Sequence, residues 1–188
     1  MSPDGSFVLS TSPRITIFTL GRFEVVLDGR PLRFKGRAPV RALELLSALI
    51  AAGGRGVSVA SLSDSLWPEA DGFDAYRAFT TTLHRLRRLL HCPEAVRLCA
   101  GRLTLDGQLC RVDLWEFERT LRAARDHGAL RQALDLYHGP FMGDDPNPWC
   151  ISLRGRLEKQ VSAARSRIAP HSKAHHLLPG ALEFAAFA

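Results

Sequence analysis

The stretch Ala78–His91 reads AFTTTLHRLRRLLH. It holds three arginines, two histidines, three threonines and no acidic residue, and its apolar positions recur at spacings of three and four. Placed on a helix at about 100° per residue, Phe79, Leu83, Leu86 and Leu90 fall within about 60° of one another and form an apolar stripe. The opposite side carries Arg77, Thr81, His84, Arg85 and Arg88. Thr80 and Arg87 lie along one edge, Ala78 and Thr82 along the other. Two readings stand at this point. A charge run is ordinarily a solvated helix face. The same residues also suit a helix laid in a DNA major groove, which is about 12 Å wide and offers base edges to hydrogen-bonding side chains and phosphates to cations.

The neighbours favour the second reading. Upstream, Ser61 is placed to cap a short helix, LSDSLWP, that holds Leu62, Leu66 and Trp67 and ends at Pro68. The loop EADGFD follows, and Asp74 is placed to cap the basic helix, which the spacing predicts over 74–91. Downstream, VRLCAGRLTLDGQLCRVD (96–113) alternates as strands. Val96, Leu98, Leu103 and Leu105 define a hairpin around Ala100-Gly101-Arg102, Asp106-Gly107 marks a second turn, and Leu109, Arg111 and Val112 mark a last short strand. A short helix, a basic helix and a basic hairpin in that order read as helix-turn-helix plus wing, with Arg102 placed for a minor groove or its phosphates. A plain turn arginine is the alternative for Arg102.

Working outward, residues 15–34, ITIFTLGRFEVVLDGRPLRF, read as three short strands with Asp28-Gly29 as a hairpin turn, so a compact antiparallel sheet is expected. APVRALELLSALIAAGG (38–54) predicts a helix burying Val40, Leu43, Leu46, Leu49 and Ile50, with Pro39 in its first turn and Gly53-Gly54 as its stop. VSV (57–59) predicts one short strand. From Asp113 the pattern is helical. A first helix has Leu114, Phe117, Leu121 and Ala124 on one face and Gly128 as its stop; a second contains ALRQALDLYHG; a third spans 150–169 after the aromatic loop PFMGDDPNPW. The expected organisation is a flexible leader (1–14), a unit of sheet, three helices and hairpin (15–112), a helical unit (113–169) and a tail (170–188).

Composition bounds the functions. Hydrophobic residues make up 46% of the 188, enough for a core, and no apolar run approaches the roughly 18 residues of a membrane helix. The start, MSPDGSFVLSTSPR, lacks a basic segment followed by an apolar one, so no signal peptide, no membrane partner and a cytoplasmic location are expected. The net charge is +6 and the pI about 9.7. Of the 25 basic residues 22 are arginine, a planar fork suited to phosphates and guanine edges, although a GC-rich genome gives the same bias. From Ala75 to Arg102 six arginines (77, 85, 87, 88, 97, 102) face one acid, Glu94. The cysteines at 92, 99, 110 and 150 match no zinc spacing and read as free thiols. GGRG lacks the G-K-[ST] of a phosphate loop, and no nucleophile constellation stands out, so neither an enzyme nor a cofactor is expected. His171, His175 and His176 have no nearby Glu or Cys, so no metal is expected. Asp144-Asp145 reads as a polar loop. Trp115, Phe117, Tyr137 and Trp149 read as core aromatics.

The segments LGRFEVVLDGRPLRF, RALELLSALIAAGGRGVSVASLSDSLWP, AFTTTLHRLRRLL, VRLCAGRLTLD and VDLWEFERTL, in this order, resemble the OmpR/PhoB-type winged helix. They are most similar to its version in proteins with a bacterial transcriptional activator domain, including the Streptomyces antibiotic regulatory proteins; LYHGPFMGDDPNPW resembles a helix junction of that activator domain. The resemblance covers about residues 15–169. It implies an α+β winged helix, with a four-stranded N-terminal sheet, three helices and a C-terminal hairpin, followed by an all-α tetratricopeptide-like segment. It implies a bacterial DNA-binding transcription regulator, nucleoid-associated when bound, with the helix at 74–91 in the major groove and a wing at 96–105. Carried over by position, Thr81, His84 and Arg85 lie toward bases, and Arg77, Arg87, Arg88 and Arg102 toward phosphates. The loop 67–73 corresponds to a segment that touches RNA polymerase in some relatives, and homodimers on direct repeats are implied. Two features depart from the pattern. The helical part is short, so the chain is expected to be a shortened regulator, a fragment, or a protein whose apolar end a partner covers. The wing CAGRLT also lacks a longer Gly/aromatic tip. The competing function is a protein-interaction or dimerisation module that uses the helical half, with little or no specific DNA binding.

Overall fold

The computed structural model describes residues 13–34 and 36–169. Most of the expected leader, the tail from 170 and the histidines at 171, 175 and 176 lie outside the described residues.

The chain opens with β1 (Ile15–Phe18), β2 (Glu24–Leu27) and β3 (Arg30–Pro31). All three pair antiparallel, with Ile15 opposite Leu27 and Leu27 opposite Arg30. The β2–β3 turn is Asp28-Gly29, with φ of 45° and 79°. Two positive φ values are what a two-residue hairpin turn requires, hence the Asp-Gly pair. The sheet gains a fourth strand from far along the chain. β7 (Cys110–Val112) pairs parallel to β1, giving the order β3-β2-β1-β7. A parallel pair needs a long crossover, and here the crossover is the whole set of three helices and the wing.

That crossover begins with α1 (Val40–Ala51), whose residues Ala42, Leu45, Leu46, Leu49 and Ile50 are buried. The buried stripe is rotated from the expected one: Val40 is 51% exposed and Leu43 half-buried. Pro39 sits one position earlier than expected, at the N-cap. Gly53 and Gly54 do end the helix. Their N–H groups donate to the carbonyls of Ile50 and Leu49, which satisfies two of the orphaned acceptors of the last turn. β4 (Val57–Ser58) leads into α2 (Val59–Leu66), and here the sequence reading is corrected. Ser58, not Ser61, is the N-cap; its hydroxyl accepts from the Ser61 N–H. α3 (Gly72–Leu89) likewise starts earlier than expected, capped by Asp71, whose carboxylate accepts from the Asp74 N–H at 2.8 Å. After a 3-10 turn at Pro93–Ala95, β5 (Val96–Cys99) and β6 (Arg102–Leu105) form the wing, with β4 against β6.

α4 (Asp113–Ala123), α5 (His127–Asp135) and α6 (Pro148–Ile168) complete the described chain. Gly128 does not stop the first of these helices; it lies inside α5, and Asp126 caps α5 by accepting from the Ala129 N–H. A main core joins Ile17, Leu46, Phe79, Leu86 and Leu103 to Phe117, Phe141 and Leu157, and a smaller cluster holds Ala124, Leu130 and Ala164. Asp113 anchors the start of α4 to the end of β1, because its carboxylate accepts from the N–H groups of Thr19, Leu20 and Leu114 and from the Thr19 hydroxyl. The aromatic loop is ordered by Phe141, which is fully buried and bridges to Leu20, and by Arg154, which donates to the carbonyls of Phe141 and Asp145. Asp145 accepts from Asn147 in a local turn, as a polar loop does. Of the four aromatics read as core, Phe117 is fully buried, and Trp115, Tyr137 and Trp149 pack against the core partly buried.

Candidate nucleic-acid interface

α3 is fixed to the fold by Phe79, Leu83, Leu86 and Leu90, each 3% exposed or less. Full burial of such side chains contributes about 1.5–3 kcal/mol apiece, so the helix's rotation about its own axis is set firmly. Thr82, read as an edge residue, is 4% exposed and belongs to this inner face. The outer face is therefore determined: Arg77, Thr81, His84, Arg85 and Arg88 are all exposed. On the adjoining edge Thr80 is exposed too, and its hydroxyl donates to the Tyr76 carbonyl one turn back.

The arginines differ in how far they are committed. Arg85 and Arg88 have no ion-pair partner among the described residues, and Arg77 has only a long contact of 3.9 Å to Asp74. Arg87 is half-buried and its Nε donates to the Val96 carbonyl at 2.9 Å, which ties α3 to the first strand of the wing. Arg102 stands beside the Ala100-Gly101 turn at the wing tip, and its Nη1 donates to the Gly56 carbonyl at 2.8 Å. Arg97 pairs with Asp106 at 3.1 Å.

Two exposed aromatics escaped the sequence reading. Phe73 is 73% exposed and Tyr76 54% exposed, both in the first turns of α3. The Arg77 guanidinium lies 5.8 Å from the centre of the Phe73 ring. The sequence pattern starts the helix at Asp74 and so leaves Phe73 in the preceding loop. The signal that finds it is the spacing Phe73, Arg77, Thr81, His84, Arg88, one stripe at steps of four, four, three and four. At 1.5 Å per residue this stripe is about 22 Å long. All four cysteines are unpaired; Cys99 on the wing is exposed, the other three buried. No helix among the described residues is long and apolar enough to cross a membrane.

No family model matches the chain. It is 31% identical over 148 residues to the regulatory protein AfsR of Streptomyces coelicolor, a stretch that covers 73% of this chain and 15% of that protein. Its fold matches that of Mycobacterium tuberculosis EmbR, solved in complex with a low affinity phosphopeptide, with a TM-score of 0.65 and 22% identity, over 84% of this chain and 45% of that one. The chain thus spans a minor part of the length of both proteins. The architecture is a winged helix followed by a helical segment, and the resemblance to Streptomyces antibiotic regulatory protein-like regulators stands on a sequence relative and on a fold.

Proposed function

On the premise that this chain carries the winged helix and helical segment of a Streptomyces antibiotic regulatory protein-like regulator, we propose that it regulates transcription by binding double-stranded DNA through α3. Residues 15–112 act as the DNA-binding unit and 113–169 as the activator-like helical unit. The observation that carries the reading is the fixed outer face of α3, where Arg77, Thr81, His84, Arg85 and Arg88 share one exposed side and Arg85 and Arg88 have no ion-pair partner among the described residues. Thr81, His84 and Arg85 are assigned to base edges, and Arg77 and Arg88 to phosphates. Arg87 and Arg102 are assigned first to holding the wing, through Val96 and Gly56. The exposed loop before α3, with Phe73 in the helix's first turn, is assigned to RNA polymerase, and a homodimer on direct repeats is the assembly that the family resemblance suggests. The interaction-module reading draws support from no particular feature of the described residues.

Selection of bound duplexes from a random pool tests this directly. A recovered motif, and titrations of it at several salt concentrations against non-specific competitor, are the expected outcome. Arg85→Ala is expected to relax preference at one position at a cost of about 1–3 kcal/mol. Arg88→Ala is expected to weaken all sequences alike and to lower the salt slope by about one. Parent-like binding by both variants overturns the assignment of the reading face.

A further inference from the structure

We propose that a cleft on the winged helix's junction with α4 binds a small ligand bearing two or more phosphates. The cleft has a volume of about 780 Å³ and is walled by the α1–β4 loop (Gly53, Arg55), the β6–β7 turn (Gly107, Gln108) and α4 (Trp115, Arg119, Arg122). That volume lies within the range of small-molecule sites.

The charge in the cleft is what selects an anion. Four arginines line it, Arg55, Arg111, Arg119 and Arg122, against two carboxylates, Glu116 and Glu118. Both carboxylates already have partners. Arg111 holds Glu116 with two hydrogen bonds of 2.7 and 2.8 Å, and Arg156, from α6, holds Glu118 at 3.1 Å. The Arg111 guanidinium is pushed above its ordinary pKa by that hydrogen bond to Glu116. Three guanidinium groups are left over. Arg55 has no hydrogen-bond or ion-pair partner among the described residues, Arg119 only a contact of 4.0 Å to Glu116, and Arg122 a bond from Nε to the Glu118 backbone carbonyl. An uncompensated charge of three in a half-enclosed space fits a di- or polyphosphate, since each guanidinium offers a planar fork to phosphate oxygens.

The position suggests a consequence. Arg55 belongs to the loop whose next residue carries the carbonyl bonded by Arg102 of the wing, whereas Arg119 and Arg122 belong to α4. A bound polyphosphate would hold the wing loop to the helical half.

Calorimetric titration of the full chain with inorganic pyrophosphate, and separately with ADP, tests the proposal at fixed ionic strength. Saturable binding of one equivalent is expected for pyrophosphate, and tighter binding of ADP would place a base in the cleft as well. Arg55→Ser and Arg122→Ser are each expected to weaken binding about tenfold or more, with unchanged circular dichroism and melting temperature. Arg85→Ala, on the α3 face, is expected to bind pyrophosphate like the parent, so failure of the DNA reading leaves this result intact. Absence of saturation for both probes overturns the proposal. So does parent-like binding by Arg55→Ser and Arg122→Ser, or a cognate duplex displacing pyrophosphate, which would make the cleft a DNA-backbone contact.

Discussion

One carboxylate ties the end of β1 to the start of α4, and its removal has a calculable effect. Asp113 Oδ1 receives the Thr19 hydroxyl at 2.6 Å and the Leu114 N–H at 2.7 Å; Oδ2 receives the Leu20 N–H at 3.0 Å; the Thr19 N–H lies 2.8 Å from both. Thr19 and Leu20 are 0% and 1% exposed, so water does not replace the carboxylate easily. In Asp113→Ala the two β1-end N–H groups lose their acceptor, and each orphaned buried donor costs about 1–3 kcal/mol. The hydroxyl can rotate to another partner and adds less. The expected loss is about 3–5 kcal/mol, a large share of the roughly 5–15 kcal/mol that keeps a domain folded. Asp113→Asn keeps one acceptor oxygen but turns an amide toward donors, so about 1–3 kcal/mol is expected. Thr19→Val deletes only the hydroxyl bond, for about 1 kcal/mol. Urea unfolding at constant m reads all three; with m of about 2 kcal/mol/M the alanine variant moves the midpoint by roughly 2 M. A loss under 1 kcal/mol for Asp113→Ala, or a larger loss for Thr19→Val than for Asp113→Asn, refutes the reasoning.

Other consequences are more compact. Asp71→Ala should cost about 1 kcal/mol of stability through loss of the α3 cap, and Asp74→Ala distinctly less, as read by denaturant midpoints. Gly54→Ala places a Cβ 2.2 Å from the Trp115 ring at a φ of +71°, so a loss of about 2–4 kcal/mol is expected. Gly53→Ala, also at positive φ but in open space, should cost only about 1–2 kcal/mol. Burial raises the thiols of Cys110 and Cys150 from an ordinary 9.0 to about 12, with Cys92 near the first and Asp145 near the second adding to the effect. The unfolded chain releases these protons near pH 9 and the native one does not. Stability should therefore fall between about pH 9 and 12, and Cys110→Ala/Cys150→Ala should flatten that alkaline limb in pH-dependent melts.

What was legible followed the range of the interaction. The Asp28-Gly29 turn was readable because two adjacent residues fix it, and both adopt positive φ. The inner face of α3 was readable because 3.6-residue periodicity is local, and Phe79, Leu83, Leu86 and Leu90 are buried together. The cap was not, because Asp71 and Asp74 stand three positions apart and either suits an N-terminus; Gly72-Phe73 between them reads as loop until the Asp71 carboxylate is seen on the Asp74 N–H. The parallel pairing of β7 with β1 was out of reach for a different reason. Ile15 and Cys110 meet across 95 residues, and only the assembled helices bring them together. Nothing in residues 113–120 announced that Asp113 would be shared with Thr19 and Leu20.

The candidate face shows the same division, and it changes how its charge should be counted. Exposure of Arg77, Arg85 and Arg88 follows from helix phase alone, whereas Arg87 at the edge depends on which carbonyl lies within reach of its guanidinium. Val96 supplies one at 2.9 Å. The six arginines between Ala75 and Arg102 therefore overstate the cations free to meet phosphates. Arg87→Ala separates the two roles. If Arg87 is a tie between α3 and the wing, the variant loses about 1 kcal/mol of stability, while the logarithmic salt slope of DNA binding stays as in the parent. If it is a phosphate contact, the slope falls by about 0.9 and the melting temperature does not move. The second outcome would mean that the Val96 bond is released on binding and that the face is wider than the free chain presents.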